Sequence, residues 1–364
     1  MRTLRAMFAA GGTGGHIYPA VAVAKEFAAR HPDAEILFVG STRGMENQIV
    51  PTEGFKLVTL DLTYLPRYPS FEQVKTAFRA AKAIVQAVGL LKRFAPDVVM
   101  GTGGYAAGPL MFAAALMGYP TIIHEQNAFP SLTNRLLARF VDRIAVSHES
   151  VYAHFPRQKV HVTGNPLRPA ILIADRSEAR RSLGIHCKQK VLLVVGGSGG
   201  ALRLNQTVCD AYGELLSLGV HLIHVTGKKY YSEVSVRASV FGGKPLDVLD
   251  YATNMPELLA AADLVISRSG SFTAELAALG KPSILIPSPI AANDHQLFNA
   301  RVVESAGGAV VITEDSLSSQ ALTDAVRRLI TNDETLAEMA DKSRGLAFPH
   351  ATASICSLME KLII

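Results

Sequence analysis

Tryptophan is absent from this 364-residue chain, and cysteine occurs only three times. Cys187, Cys209 and Cys356 lie far apart in the sequence. None of the spacings that hold zinc or run disulfide exchange is present, so reduced thiols in a reducing compartment are the expected state. Long apolar runs are missing too. The longest, residues 109–123, is broken by Gly118 and Pro120 and falls short of the ~20 residues that span a bilayer. The first ten residues faintly imitate a signal peptide, but their apolar part is short and leads straight into glycines, so they read as a first strand. Charge is sparse, at 18% of residues with a net +5. That mild basicity suits a phosphate-bearing ligand or an anionic surface. Without a Lys/Arg-rich run or an RNA-binding signature, it gives no reason to expect nucleic acid.

What is abundant is the alternation of short Val/Ile/Leu runs with amphipathic helical stretches. In the first half the runs fall at 4–10, 36–39, 57–60, 98–100, 121–124, 143–146 and 160–163. In the second half they fall at 191–195, 221–225, 246–249, 264–266, 283–286 and 309–312. Continuous apolar strands between helices indicate buried parallel sheets, so the expected fold class is α/β, with two doubly wound Rossmann-like domains. The pattern breaks at Gly164-Asn165-Pro166-Leu167-Arg168-Pro169. The expected division is residues 1–164, residues 165–345, and a final helix within 346–364 that packs back on the first domain.

Three glycine-rich turns follow strands: Gly11-Gly12-Thr13-Gly14-Gly15-His16, Gly101-Thr102-Gly103-Gly104-Tyr105 and Gly196-Gly197-Ser198-Gly199-Gly200. A turn of this kind aims backbone N–H groups at an anion, and His16 adds a group that moves protons near neutral pH. The first turn is not the dinucleotide frame. It lacks the third glycine of Gly-x-Gly-x-x-Gly, and the second strand ends in Val39-Gly40-Ser41 with no acid for a ribose. No Walker frame ending in Gly-Lys-Ser/Thr occurs either. NAD binding and phosphoryl transfer from ATP are therefore not expected.

Taken in order, these turns together with His124-Glu125-Gln126-Asn127, Gly164-Asn165-Pro166-Leu167-Arg168, Arg268-Ser269-Gly270 and Asp294-His295-Gln296-x-x-Asn299-Ala300 closely resemble the MurG family of peptidoglycan transferases. That is glycosyltransferase family 28, which has the GT-B fold of two Rossmann-like domains facing a central cleft. The resemblance covers essentially the whole chain. It implies transfer of N-acetylglucosamine from UDP-N-acetylglucosamine to the undecaprenyl-diphosphate-linked lipid I. His16 and Glu125 become the candidates for the general base. Thr13, Gly14, Gly15, Asn127, Arg168, Ser198, Tyr251, Ala252, Ser271, Phe272, Thr273, Glu275 and Gln296 become donor contacts, Glu275 at the ribose and Gln296 at the sugar. Gly103, Gly104 and Tyr105 become the site for the acceptor diphosphate. The chain departs from the family at Ala107, Ala252 and His295, and is one residue shorter between Arg268 and Glu275, which shifts the register of Ser271, Phe272 and Thr273 by one position. No Asp-x-Asp occurs, so neither a resident metal nor another cofactor is expected.

A polyprenyl acceptor also gives meaning to residues 64–95. Arg67, Lys75, Arg79, Lys82, Lys92 and Arg93 accompany a single acid, Glu72, while Phe71, Val74, Phe78, Ala81, Val85 and Val88 recur at helical spacing. The expectation is peripheral attachment of the first domain to the cytoplasmic face of the cell membrane through anionic lipid, within a cell-wall synthesis complex. The alternatives are a glycolipid synthase or UDP-N-acetylglucosamine 2-epimerase of the same architecture, or a non-enzymatic UDP-sugar-binding scaffold.

Overall fold

In a computed structural model, residues 3–62, 71–104, 107–197 and 199–363 are described, without the side chains of 71–78 and 80. Two compact units emerge, one from residues 1–168 with 348–364, the other from residues 169–347. The first unit contains β1 (Arg5–Ala9), α1 (Gly14–Arg30), β2 (Glu35–Ser41), α2 (Glu46–Thr52), β3 (Lys56–Leu60), α3 (Phe71–Phe94), β4 (Val98–Gly101), α4 (Ala107–Leu116), β5 (Thr121–Glu125), α5 (Leu132–Leu137), β6 (Arg143–Val146) and β7 (Val160–Val162). The second contains α6 (Pro169–Leu172), α7 (Arg176–Ser182), β8 (Val191–Val195), α8 (Leu202–Ser217), β9 (His221–Val225), α9 (Tyr231–Ala238), β10 (Leu246–Leu249), α10 (Met255–Ala261), β11 (Leu264–Ser267), α11 (Phe272–Ala278), β12 (Ser283–Leu285), α12 (His295–Ser305), β13 (Ala309–Val311), α13 (Ser319–Ile330) and α14 (Asp333–Arg344). The last helix, α15 (Ala351–Ile363), returns to the first unit and packs against α1. Arg30 holds it there through Ser357, Glu360 and the carbonyl of Ala353.

Each apolar run expected to be a strand is one, and every strand pairing is parallel. The sheet orders are β3-β2-β1-β4-β5-β6-β7 and β10-β9-β8-β11-β12-β13. Burial on both faces explains the continuous apolar sequences. Ala6 to Ala9 and Val191 to Leu193 alternate between two core clusters, one on each side of their sheet. In each unit the chain runs outward in one direction from its first strand and then restarts on the other side. The reversal lies between β1 and β4 in the first sheet and between β8 and β11 in the second. Loops that diverge from adjacent strand ends leave a crevice there, the usual ligand position in open α/β sheets.

The first glycine turn is shorter than the sequence suggests. Thr13 takes the N-cap position with an extended backbone, and the helix already begins at Gly14. His16 therefore stands in the first helical turn rather than at the end of a loop. Pro19 lies inside the same helix and has no N–H to offer the carbonyl of Gly15.

Candidate active site

At the β1/β4 switch point of the first unit, the glycine turns serve first to bring two loops together. A Cβ on Gly104 would overlap the carbonyl of Gly11, and one on Gly103 would stand 2.9 Å from Cδ2 and 3.2 Å from Nε2 of His16. Thr102 is fully buried, and its hydroxyl donates to the carbonyl of His16 at 2.7 Å. The imidazole of His16 is thus laid along the 102–104 loop. Its Nδ1 is 3.2 Å from Oγ1 of Thr13. For Nε2 to accept a proton, Nδ1 must carry one, and the Thr13 hydroxyl is placed to receive that N–H. Tyr105 lies outside the described residues.

Glu125, at the end of β5, is buried, and its carboxylate receives four hydrogen bonds. One oxygen accepts from the backbone N–H and the amide of Asn127, both at 3.1 Å. The other accepts from Ser131 N–H and the Asn134 amide, both at 2.9 Å. Burial pushes its pKa up, opposed by these donors. With four donors around two oxygens, the group stitches residues 127–134 to the strand end. Beside it His124 is fully buried and donates from Nε2 to the carbonyl of Gly164 at 3.1 Å. Burial first, then the proximity of His16 and His148, lowers its pKa to about 4. Arg168, where the chain leaves this unit, holds its guanidinium 5.4 Å over the ring of Tyr18 on α1.

Glu46 was not legible as a site residue. Five residues beyond Ser41, this fully buried carboxylate folds back on the strand end and the first glycine turn. Its target is Gly12, not a ribose. The signal lay in Gly40 and Gly44, the small residues that make room for it.

The second unit has its own cross-linked switch point. Arg268 donates to the carbonyls of Ile286 and Pro287 and pairs with Glu314 at 3.2 Å. This fixes the 286–288 turn, whose Ser288 N–H donates to Oε1 of Gln296 at 2.9 Å. Because a backbone N–H claims the oxygen, the amide nitrogen of Gln296 is the end left to donate to a ligand. Asn293 and Asp294, just before α12, both adopt positive φ, at 52° and 51°, a strained pair for non-glycine residues. Thr273 commits its hydroxyl to the carbonyl of Gly270 at 3.0 Å, and Phe272 packs on the core below the sheet. Ser271 is the N-cap of α11, and Glu275 lies in its first turn, half-buried. Tyr251 is half-exposed with Lys228 Nζ 5.8 Å from its ring centre, and Ala252 is buried in the core. Ser198 lies outside the described residues.

The basic, apolar stripe also has a definite orientation where it is described. Ala83, Ala87, Leu90 and Leu91 form the inward face of α3, and Val88 packs on the same core. Ala81, Lys82, Lys92 and Arg93 are exposed, and Val85 is 71% exposed. Arg67 and the side chains of Phe71, Val74, Lys75 and Phe78 lie outside the described residues. Next to α4, which packs on α3, a second set appears that the sequence did not single out. Leu132, Leu136 and Phe140 recur at four-residue spacing, all exposed, with Arg139 beside them. Phe140 meets Phe112 of α4 edge-on, and Leu116 extends the patch. Among the described residues, no helix is long and apolar enough to cross a membrane.

Comparison with known proteins agrees with the two-sheet α/β architecture. Residues 6–146 match the glycosyltransferase family 28 N-terminal domain and residues 191–355 its C-terminal domain. The UDP-N-acetylglucosamine–N-acetylmuramyl-(pentapeptide) pyrophosphoryl-undecaprenol N-acetylglucosamine transferase of Thermoanaerobacter sp. (strain X514) is 40% identical over 99% of the chain and 100% of that protein. The crystal structure of Acinetobacter baumannii MurG superposes with a TM-score of 0.77 at 29% identity, covering 99% and 100% of the two chains. A UDP-GlcNAc 2-epimerase from Neisseria meningitidis, solved with UDP-GlcNAc, covers 99% of this chain and 100% of its own with a TM-score of 0.69 but only 15% identity, a likeness of fold alone.

Proposed function

The chain belongs to glycosyltransferase family 28, and from that membership we propose that it transfers N-acetylglucosamine from UDP-N-acetylglucosamine to the muramoyl 4-hydroxyl of lipid I, releasing UDP. The observation that carries this reading is the end-to-end match, at 40% identity, to a transferase named for that reaction. The reaction is one in-line displacement with inversion. The acceptor oxygen bonds to the anomeric carbon as the bond to the UDP oxygen breaks, and the hydroxyl proton passes to the base.

Of the two candidate bases, His16 fits the task. Its Nε2 faces the 102–104 loop, and Thr13 is positioned to hold the tautomer in which Nε2 is the basic nitrogen. Glu125 already accepts four hydrogen bonds and acts as the anchor of the Asn127 loop. The first unit takes the acceptor, its diphosphate at Gly103, Gly104 and Tyr105. The second takes the nucleotide, with Ser198 and Ser271 at the diphosphate, Glu275 at the ribose, Tyr251 over the base and Gln296 donating to the sugar. Arg168, steadied by Tyr18, neutralises the leaving UDP. Attachment to the cytoplasmic membrane face uses the α3–α4–α5 surface, where exposed Leu and Phe stand beside Lys and Arg.

Incubation of the purified protein with radiolabelled UDP-N-acetylglucosamine, with and without lipid I, tests the reading. Label passes into a lipid product only when lipid I is present. Consumption of donor without the lipid would point instead to an epimerase, and UDP binding without turnover to a scaffold.

A further inference from the structure

Glu46 is a fully buried carboxylate to which the transfer chemistry assigns nothing. It opens α2, and the fold is built around its head group. One oxygen accepts from the N–H of Ser41 at 2.8 Å and from the Ser41 hydroxyl at 2.6 Å. The other accepts from the N–H of Gly12 at 3.0 Å. Space for it depends on two glycines. A Cβ on Gly40 would lie 2.5 Å from Cγ of Glu46, and a Cβ on Gly44 would overlap the carboxylate itself. Gly12 has a φ of 90°, a backbone that turns its N–H in a way few other residues allow. A carboxylate so placed is held by charge-assisted bonds, roughly twice as strong as neutral ones, and losing them would leave a buried charge uncompensated.

We propose that Glu46 is an internal anion. It occupies an anion position of the first glycine turn that a ligand phosphate would otherwise take, and thereby fixes the turn that carries Thr13 and His16. The turn meets its substrates with that position already filled, so the remaining N–H groups at the start of α1 and the imidazole do the substrate work. Glu46 is a positioning residue, and its effect on turnover rests on the role given above to His16.

Glu46→Gln and Glu46→Ala in the full chain test this, with kcat, both KM values and the melting temperature measured together. Glutamine keeps the volume but sets an NH2 against backbone donors. It should lower kcat about tenfold to a hundredfold by displacing the turn, with both KM values within about twofold of wild type. Glu46→Ala leaves an acetate-sized space beside the same donors. Formate should raise its melting temperature and recover part of its kcat, while changing neither in the wild-type protein nor the kcat of His16→Ala. A Glu46→Gln protein with the wild-type kcat, or a Glu46→Ala protein indifferent to formate in its melting temperature, overturns the proposal. The formate melting shift needs no turnover. If wild type transfers nothing to lipid I, the functional reading fails on its own and the internal anion is judged by that shift. Should Glu46→Ala not fold without formate, recovery of a folding transition in formate supports the proposal and its absence overturns it.

Discussion

At the scale of single residues, the proposed function divides the site into side chains that meet substrate and side chains that hold those in place. His16 and Glu125 were rival candidates in the sequence, since each lies in a motif that follows a strand and both can carry a proton. Hydrogen bonding separates them. A carboxylate receiving four donors has no acceptor position to spare, whereas the His16 ring meets the Thr13 hydroxyl at Nδ1 and lies along the 102–104 loop at Nε2. His16→Ala should therefore lower kcat by about a hundredfold to ten-thousandfold at an unchanged melting temperature. Glu125→Gln should lower the melting temperature, because its NH2 faces two donors on Ser131 and Asn134 or on Asn127. Kinetics and thermal melts of the two variants decide this. A wild-type kcat in His16→Ala would remove it from the mechanism. Motif residues such as these were legible because glycine, histidine and acid types stand out along a chain. Glu46 was not, since its partners at Gly12 and Ser41 are set by how α2 folds back, and the only local trace of it is the small residues Gly40 and Gly44.

At the scale of elements, parallel strands were the easiest part to read. A strand buried on both faces must be apolar throughout, and sequences such as Val191-Leu192-Leu193-Val194-Val195 state that directly. Helix starts were harder. The run Gly14-Gly15-His16 reads as loop by propensity, yet α1 takes it in because Thr13 supplies the extended N-cap position. The outward face of α5 was illegible for a different reason. Leu132, Leu136 and Phe140 have helical spacing, and such a stripe in a soluble protein normally faces a core. Here it faces outward, Leu136 being 63% exposed. Replacing Leu136 and Phe140 together by Asp should weaken binding to phosphatidylglycerol vesicles by at least about tenfold, with transfer to a detergent-dispersed, short-chain acceptor retained. Vesicle sedimentation measures the first and the transfer assay the second. Undiminished vesicle binding would assign the membrane face elsewhere.

At the scale of the molecule, both units bury neutral histidines, and this sets a pH limit. His124 and His148 in the first unit are held near pKa 4 by burial, and His224 in the second near 3, against ~6.5 for an exposed imidazole. As pH falls, the unfolded chain takes up these protons before the folded one does. Stability is therefore complete above about pH 6.5 and declines as the pH drops toward 4, with His124 alone contributing on the order of 3 kcal/mol. Urea unfolding from pH 7.5 to 4.5 should show this slope, and His124→Gln should flatten it. Parallel profiles for the two proteins would refute the assignment. The two-sheet organisation was readable in advance, because strand–helix alternation and the Pro166/Pro169 break lie in the sequence itself. The close contacts that convert the glycine turns from generic anion cradles into loops packed on each other depend on tertiary approach, as between Gly104 and Gly11, and only the structure supplies them.

The most direct test of the whole account is product analysis of one reaction mixture holding the protein, lipid I and UDP-N-acetylglucosamine labelled in the sugar. The account predicts labelled lipid II with the new linkage in the β configuration, inverted from the α-linked donor, and one UDP released for each sugar transferred. Retention of the donor's configuration, release of UDP without lipid II, or conversion of the donor in the absence of lipid I would contradict it.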